Sequence, residues 1–162
     1  MKYWVFETRP GWMGLAANDA KLIRCALPRE SRAEALAGLG ERVVEDVAAF
    51  GDLPEKLRNY FDGKRVDFSD APTDLSQMPE FTARVLRACQ AIPHGQCVSY
   101  AELAREIGAP NAARAVGNAM ARNPMPIIVP CHRVVASDGR LGGFGGGLEL
   151  KRDLLKLEGI DI

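Results

Sequence analysis

The run NPMPIIVPCHRVV, at positions 123–135, decides how the second half of the chain folds. Three prolines surround an apolar stretch here, and each proline fixes the backbone torsion φ and removes a hydrogen-bond donor. We therefore predict a rigid, largely buried loop or edge strand that leaves Cys131 buried or nearly so. Because most buried cysteines are inert apolar side chains, burial alone assigns no chemistry to Cys131.

The histidine that follows Cys131 gives this cysteine a second interpretation. A free thiol has a pKa of about 8.5, and apolar burial raises it further, so Cys131 alone would be protonated at neutral pH. A base within reach, such as His132, can take that proton directly or through one water. Adjacent side chains of an extended segment point apart, so we expect a water bridge or a kink rather than direct contact.

A third group that could orient this histidine comes from the C-terminal helix. The pattern predicts a helix over Leu148–Leu157 with Gly159 as its C-terminal cap, and Glu158 continues its inward stripe. An acid in the last turn opposes the helix dipole, and such local conflicts are enriched at functional sites. Glu158 is thus a candidate to orient His132, and a surface glutamate paired with a nearby Lys or Arg is the alternative.

Two short helices are predicted upstream of the cysteine. Ser99-Tyr100-Ala101-Glu102 is a capping box that opens the first, and Gly108-Ala109-Pro110 separates it from a second helix over about 111–122. Two short helices joined by a glycine-containing turn are typical of a helix-turn-helix, although many other helical proteins contain such a pair.

The second of these helices has an unusual outer face, made mostly of small residues. The outer face comprises Ala113, Arg114, Gly117, Asn118 and Ala121, and the core face comprises Ala112, Ala115, Val116, Ala119 and Met120. Small side chains let a helix approach another surface closely. That surface is either a neighbouring helix or a nucleic-acid backbone, with Arg114 and Asn118 as polar contacts. An arginine on this face could also fill the space left by an extruded base.

Between the cysteine and the last helix lies the glycine-rich loop, GRLGGFGGG at positions 139–147. Such a loop, with its single aromatic residue, could fold over a planar ligand or serve as a connector. It lacks the arrangement of a phosphate-binding loop.

The first half of the chain predicts a small α/β unit followed by a linker. Two strands are predicted over Lys2–Glu7 and Leu22–Leu27, joined through turns at Gly11, Gly14 and Asn18-Asp19. A helix follows, opened by a capping box at Ser31, with an apolar stripe formed by Leu36, Leu39, Val43 and Val47. A second helix begins at Pro54, and a short strand is predicted at Arg65–Phe68. We expect a first domain over 1–70, a linker over 71–79 and a second domain over 80–162.

Composition and charge limit the classes of function. The 162 residues are 47% apolar and 26% charged, which is ordinary for a globular protein, and no apolar stretch approaches the roughly 20 residues of a membrane span. Glu7 interrupts the N-terminal apolar run where a signal peptide would continue, so we expect a cytoplasmic protein with no membrane partner. Residues 1–80 carry a net charge of −3 and residues 81–162 one of +3, so a polyanion would bind the second half.

The cysteines and histidines argue against a metal site. None of the four cysteines forms a C-x-x-C pair and the chain has two histidines, so we expect no metal ion.

Taken together, these segments resemble the O6-alkylguanine-DNA alkyltransferases, also called methylated-DNA–protein-cysteine methyltransferases. The motif IVPCHRV (128–134) closely resembles their active-site signature. The resemblance continues through VSYAELA (98–104), RAVG (114–117), NP (123–124) and LEG (157–159), and more loosely through LAAND (15–19) and YFDG (60–63).

The resemblance implies a fold and a reaction. The fold is an N-terminal α/β lobe of ribonuclease-H-like topology and a mostly α C-terminal lobe, winged-helix-like, with a DNA-binding helix-turn-helix. The reaction is the irreversible transfer of an alkyl (methyl) group to Cys131 from O6 of guanine, and less readily from O4 of thymine, in duplex DNA. The base is flipped out, the protein binds the minor groove as a monomer that could be cooperative on DNA, and each molecule acts once, without cofactor or metal.

The same resemblance implies a role for individual residues. The catalytic set is Cys131 as nucleophile, His132 as base through a water, Glu158 orienting His132, Asn123 bracing the turn that presents the cysteine, and Tyr100 donating a hydrogen bond to the departing guanine. The DNA contacts are Arg114, which replaces the flipped base, with Ala113, Gly117, Asn118, Ala121 and Arg122. The substrate pocket is formed by Met120, Val134, Phe144 and Gly145, the last of which is serine in some relatives.

Four other functions fit parts of this pattern. A non-catalytic protein that binds alkylated DNA would lack the cysteine, and a cysteine hydrolase using Cys131, His132 and Glu158 would turn over. A plain helix-turn-helix regulator would need neither Glu158 nor the proline-flanked cysteine, and an adaptive-response regulator would need an additional zinc-binding domain. The alkyltransferase interpretation accounts for all of these residues.

Overall fold

The computed structural model describes residues 1–40 and 44–162, which form two compact units. The first unit comprises Met1–Val66 and Asp70–Leu75, and the second comprises Asp67–Ser69 and Ser76–Ile162. Within the described residues, no helix is long and apolar enough to cross a membrane.

The first unit is a four-stranded sheet with helices. Its elements are β1 (Lys2–Thr8), β2 (Gly11–Asn18), β3 (Lys21–Arg29), α1 (Arg32–Ala37), β4 (Val44–Glu45), a 3-10 helix (Val47–Phe50) and α2 (Leu53–Phe61). The strand order is β3-β2-β1-β4; the pairings β1–β2 and β2–β3 are antiparallel, and the short β1–β4 pairing is parallel. Residues 70–75 pack in this unit, where the Leu22 amide donates to the Pro72 carbonyl at 2.8 Å.

Of the turns expected at Gly11, Gly14 and Asn18-Asp19, the one at Gly14 is wrong, because Gly14 lies inside β2. Gly14 serves packing rather than chain reversal, since a Cβ there would lie 3.0 Å from the Leu39 side chain. The chain reverses at Arg9 and Pro10, directly before Gly11, and at Asp19 and Ala20, which have positive φ. The turns expected at Gly11 and at Asn18-Asp19 are therefore confirmed to within one residue. A glycine used for close approach has the same local signature as a glycine in a turn.

Two further predictions for the first half of the chain differ from the structure. The helix opened by Ser31 ends at Ala37 before two glycines, Val47 lies in the 3-10 helix, and Val43 lies outside the described residues. The strand expected at Arg65–Phe68 is irregular chain, in which the Asp67 carboxylate accepts from the Ser69 amide at 2.8 Å and forms a local turn.

The second unit is mostly helical. Its elements are α3 (Glu80–Gln90), β5 (Val98–Ser99), α4 (Tyr100–Glu106), α5 (Ala113–Met120), a 3-10 helix (Cys131–Arg133), β6 (Val134–Val135) and α6 (Leu148–Leu157). The strands β5 and β6 pair in parallel, with Val98 opposite Val134 and Ser99 opposite Val135. Since Tyr100 directly follows β5 and Arg133 directly precedes β6, this pairing connects the start of α4 to the cysteine segment.

The predicted capping box at Ser99 is confirmed. The Ser99 hydroxyl accepts from the Glu102 amide at 3.0 Å, and the Glu102 carboxylate accepts from the Ser99 amide at 3.4 Å. The reciprocal bonds satisfy two backbone donors and start α4 at Tyr100.

The helix α5 is shorter than the predicted 111–122, and one residue that was predicted to lie on its core face is exposed. Val116, Ala119 and Met120 are buried as expected, but Ala115 is exposed. The buried arc of this short helix, which packs on α3 and α4, is narrower than the sequence pattern indicated. On the opposite face Arg114 and Asn118 are exposed.

Replacing Ser99 by alanine should lower the free energy of unfolding by about 1 kcal/mol, because the Glu102 amide loses its acceptor. Urea unfolding of Ser99→Ala beside Ser137→Ala, which changes an exposed loop serine, measures this difference. Equal midpoints for the two variants would contradict it.

Candidate active site

A cavity of about 700 Å³ opens within the second unit. Its lining comes from the start of α4, the small-residue face of α5, the cysteine segment and the glycine-rich loop. The residues are Tyr100, Ala101, Ala113, Arg114, Gly117, Met120, Ala121, Cys131, Ala136, Ser137, Gly143, Phe144 and Gly145. Residues that lie far apart in the sequence thus surround the thiol.

Cys131 stands at the start of a 3-10 helix rather than in an edge strand, and only 9% of the residue is exposed. Asn123 braces the preceding loop: its amide nitrogen donates to the Val129 carbonyl at 2.8 Å, and its oxygen accepts from the Met125 amide at 3.0 Å. Within this loop Ile127 has a φ of +76°. A β-branched residue adopts that conformation only where the surrounding structure imposes it.

Behind the cysteine, Glu158 is the centre of a buried hydrogen-bond network. One carboxylate oxygen lies 2.5 Å from Nε2 of His132. Arg133 donates to both oxygens, from Nε at 2.8 Å and from Nη2 at 3.1 Å, and the Gly95 amide donates at 3.0 Å. Arg133 also donates to the Ile92 carbonyl at 2.7 Å. The prediction that Glu158 points inward is confirmed.

The charges in this network decide which nitrogen of His132 is basic. Burial acts to raise the pKa of Glu158, but hydrogen bonds from His132 and Arg133 hold it far below its usual value. Burial also lowers the pKa of His132, against the opposing effect of Glu158, so the neutral imidazole is favoured. A carboxylate can only accept, so the shared proton belongs to Nε2, and Nδ1 carries the lone pair.

The thiol itself needs such a base. Burial raises the pKa of Cys131, and the Asn123 hydrogen bond and the charge of Lys151 oppose that shift only in part. At neutral pH the thiol is therefore mainly protonated until a base removes its proton.

Tyr100 faces the cavity and is packed against the glycine-rich loop. Gly142 has a φ of +72°, and a Cβ there would lie 2.7 Å from the Tyr100 hydroxyl, so only glycine fits. Burial raises the pKa of Tyr100, which keeps the phenol protonated and able to donate. At Gly145, in contrast, a Cβ would meet nothing within 4 Å, so the cavity is open on that side.

Two buried cations of this site were not assigned roles from the sequence. Arg133 forms an ion pair with Glu158. Lys151 is fully buried, and its Nζ donates to the Val134 carbonyl at 2.7 Å and to the Gly143 carbonyl at 3.1 Å. Burial lowers the pKa of Lys151 to about 8. Their signal in the sequence is a charged residue inside an otherwise apolar run or stripe.

The remaining predicted site residues lie in two places. Asn118 and Arg122 are exposed, on α5 and just beyond it, and are absent from the cavity lining. Val134, which was expected to line the pocket, is absent from its lining: it is fully buried in β6, where its amide donates to the Cys131 carbonyl and its carbonyl accepts from Lys151. Within the described residues no group of three His, Cys, Asp or Glu side chains could hold a metal ion.

Comparisons with known proteins agree along both units. Residues 1–75 match the model of the 6-O-methylguanine DNA methyltransferase ribonuclease-like domain, and residues 80–160 match that of the DNA binding domain. A methylated-DNA–protein-cysteine methyltransferase of Mycolicibacterium paratuberculosis is 41% identical over 158 residues, which cover 98% of this chain and 92% of that protein. One from Metallosphaera sedula is 44% identical over 162 residues, at coverages of 98% and 94%.

Among solved structures, the Mycobacterium tuberculosis OGT in complex with DNA is similar throughout. It superposes with a TM-score of 0.82 at 40% identity, covering 98% of this chain and 92% of that chain.

Replacing Arg133 by methionine should lower the free energy of unfolding by about 3–5 kcal/mol, because the buried Glu158 carboxylate loses its cationic partner. Arg140→Met, which breaks only an exposed pair with Asp138, is the matched control and should stay within about 0.5 kcal/mol of the parent. Denaturant unfolding measures both variants, and similar small losses would show that the buried pair contributes little.

Proposed function

This chain belongs to the O6-methylguanine-DNA methyltransferase family, with its ribonuclease-like and DNA-binding domains, and we propose that it repairs DNA by moving an alkyl group from O6 of guanine onto Cys131. The observation that carries the proposal is a thiol that lines a cavity and is followed in the chain by a histidine whose Nε2 lies 2.5 Å from a buried carboxylate. This arrangement suits one nucleophilic displacement and needs no cofactor.

In the proposed reaction, the Nδ1 atom of His132 accepts the proton of the Cys131 thiol through a bridging water. The thiolate sulfur then attacks the alkyl carbon in line, the sulfur–carbon bond forms, and the bond from carbon to O6 breaks. The departing guanine takes up one proton, with Tyr100 donating a hydrogen bond to it as negative charge develops. The alkyl group thus replaces the proton on the Cys131 sulfur, and the released guanine carries the proton that the protein has lost.

The product explains why each molecule acts once. A thioether is stable, and the site offers no step that would hydrolyse it, so Cys131 is consumed by one lesion. Glu158 keeps His132 in the required tautomer, and Asn123 holds the loop that presents the thiol. Both act by positioning.

Duplex DNA is the proposed partner of α5. Arg114, Asn118 and Arg122 are exposed along a face where Ala113, Gly117 and Ala121 leave no bulky side chain, and no acidic residue occurs from Ile107 to Ser137. We propose that α4 and α5 act as a helix-turn-helix in a winged-helix-like domain, with α5 in the minor groove. Arg114 would fill the space of the flipped base.

The cavity is of a suitable size for such a base. Ligand pockets usually measure about 300–1,000 Å³, and this cavity of about 700 Å³ has Cys131 in its lining. Met120, Phe144 and Gly145 would contact the flipped guanine, and O4-alkylthymine would be a poorer substrate. We further propose that the protein acts as a cytoplasmic monomer. Domain bounds of 1–70 and 80–162, joined by a linker over 71–79, stay a prediction, as does cooperative binding.

Incubation with a duplex carrying one O6-methylguanine should add about 14 Da, the mass of one methylene, to the Cys131 peptide. The shift should saturate at one per protein even with excess duplex, as followed by intact-protein and peptide mass spectrometry. Cys131→Ser should show no shift, whereas Cys97→Ser, which changes a partly exposed cysteine outside the cavity lining, should behave like the parent.

Two other outcomes would each overturn the proposal. A bound duplex with no mass shift would make the chain a non-catalytic protein that binds alkylated DNA. Release of product beyond one equivalent, with an unmodified Cys131, would make it a hydrolase.

A further inference from the structure

Arg84 is an exposed arginine of α3 whose side chain is bonded to the backbone of a different helix. Its Nη2 donates to the carbonyl of Ile107, the residue that directly follows α4. Among the described residues no carboxylate forms an ion pair with Arg84. Because holding a long exposed side chain in one geometry costs conformational entropy, this contact needs a reason other than charge pairing.

The Ile107 carbonyl lies where α4 ends and the turn toward α5 begins. The amides at this point satisfy carbonyls within α4 itself, through the bonds Ile107 to Leu103, Gly108 to Arg105 and Ala109 to Ala104. None of these three bonds involves the carbonyl of Ile107, whose partner is the Arg84 guanidinium. A cation at this end also complements the dipole of α4. Arg84 thus completes the hydrogen bonding at the end of the helix.

Gly108 makes the chain deformable at the same point. It has a φ of +78°, and a Cβ there would meet nothing within 4 Å, so glycine serves the backbone conformation rather than close packing. Glycine adopts positive and negative φ about equally readily. The peptide plane between Ile107 and Gly108 could therefore turn over at little cost if its carbonyl had no partner. The bond from Arg84 fixes the direction of that carbonyl and, with it, the path of the chain beyond.

That path determines how α5 is presented. The Ala112 amide donates to the Ala109 carbonyl at 2.9 Å, and α5 begins at the next residue, Ala113. Ala113 and Arg114 both line the cavity. Since α3 also packs directly against α5, Arg84 connects the turn to a helix on which α5 rests. A shift of the turn would therefore move Arg114 relative to the cavity.

We propose that Arg84 is a positioning residue of DNA binding: its bond to the Ile107 carbonyl fixes the turn between α4 and α5 and thereby the direction in which α5 presents Arg114. The proposal rests on the DNA binding proposed above. It differs from a direct DNA contact in one respect. A guanidinium that binds a phosphate changes the salt dependence of the affinity, whereas one that fixes a turn changes the affinity equally at every salt concentration.

The first test measures the affinity for an unmodified duplex by fluorescence anisotropy over a series of salt concentrations. Arg84→Met should bind about tenfold more weakly, because only a part of its population keeps the turn in the binding-competent conformation. The slope of log K against log salt should equal that of the parent, whereas loss of one phosphate contact would reduce its magnitude by about 0.9.

Arg87→Met is the matched control, because it removes the same charge from another exposed position of α3. Its affinity for the duplex should stay within about twofold of the parent, since it is not bonded to the turn. Both variants should react with iodoacetamide at Cys131 at the parental rate, which checks that the nucleophile and its base are undisturbed.

The second test needs no DNA and follows amide hydrogen exchange by NMR. The amides of Ala109 and Ala112 are bonded within the turn, so in Arg84→Met they should exchange about fivefold faster or more than in the parent. The amides of Val85 and Leu86, inside α3, should exchange as in the parent. Arg87→Met should leave both pairs unchanged.

Three results would overturn the proposal: an unchanged affinity of Arg84→Met, unchanged exchange of the Ala109 and Ala112 amides, or a weaker affinity accompanied by a smaller salt slope. The last of these would make Arg84 a phosphate contact. A parent protein that binds no duplex would count against the proposed function, whereas the exchange measurement would still decide whether Arg84 holds the turn.

Discussion

The carboxylate of Glu158 is the group on which the second unit depends. A buried charge is tolerated only when it is paired and fully hydrogen-bonded, and here His132, Arg133 and the Gly95 amide meet that requirement. These donors come from the 3-10 helix of the cysteine segment and from the turn after α3, while Glu158 ends α6. Satisfying one carboxylate therefore joins three parts of the chain that are distant in sequence and fixes where the thiol stands.

The same pairing connects stability with chemistry. Glu158 can remain ionised only because of its donors, and in that state it accepts a hydrogen bond from Nε2 of His132, which leaves the other ring nitrogen basic. Features that are locally unfavourable accumulate around this point. An acid lies at the end of α6, Ile127 has positive φ, and Lys151 is buried. Such conflicts persist where the surrounding structure imposes them, which is typical of functional sites.

The parts that sequence analysis predicted are those specified by local patterns. The Ser99 capping box and the inward Glu158 follow from spacing within one or two turns of helix, and the structure confirms both. The reaction and its substrate came from the resemblance, since no spacing specifies an alkylated base. The errors arise where distant contacts decide the outcome. The sequence around Gly14 indicates a turn, whereas the structure shows that this glycine allows the Leu39 side chain to pack closely. The hydrogen-bond partners of Lys151 are backbone carbonyls, which no sequence pattern reveals.

The protonation state of His132 tests this account most directly. The chain has two histidines, so 15N NMR of the imidazole nitrogens, with a His94→Asn variant for assignment, can resolve it. At pH 7, His132 is expected to be neutral, with its proton on Nε2 toward Glu158 and a basic Nδ1. A doubly protonated ring at that pH, or a neutral ring protonated on Nδ1, would contradict the assignment of His132 as the base that activates Cys131.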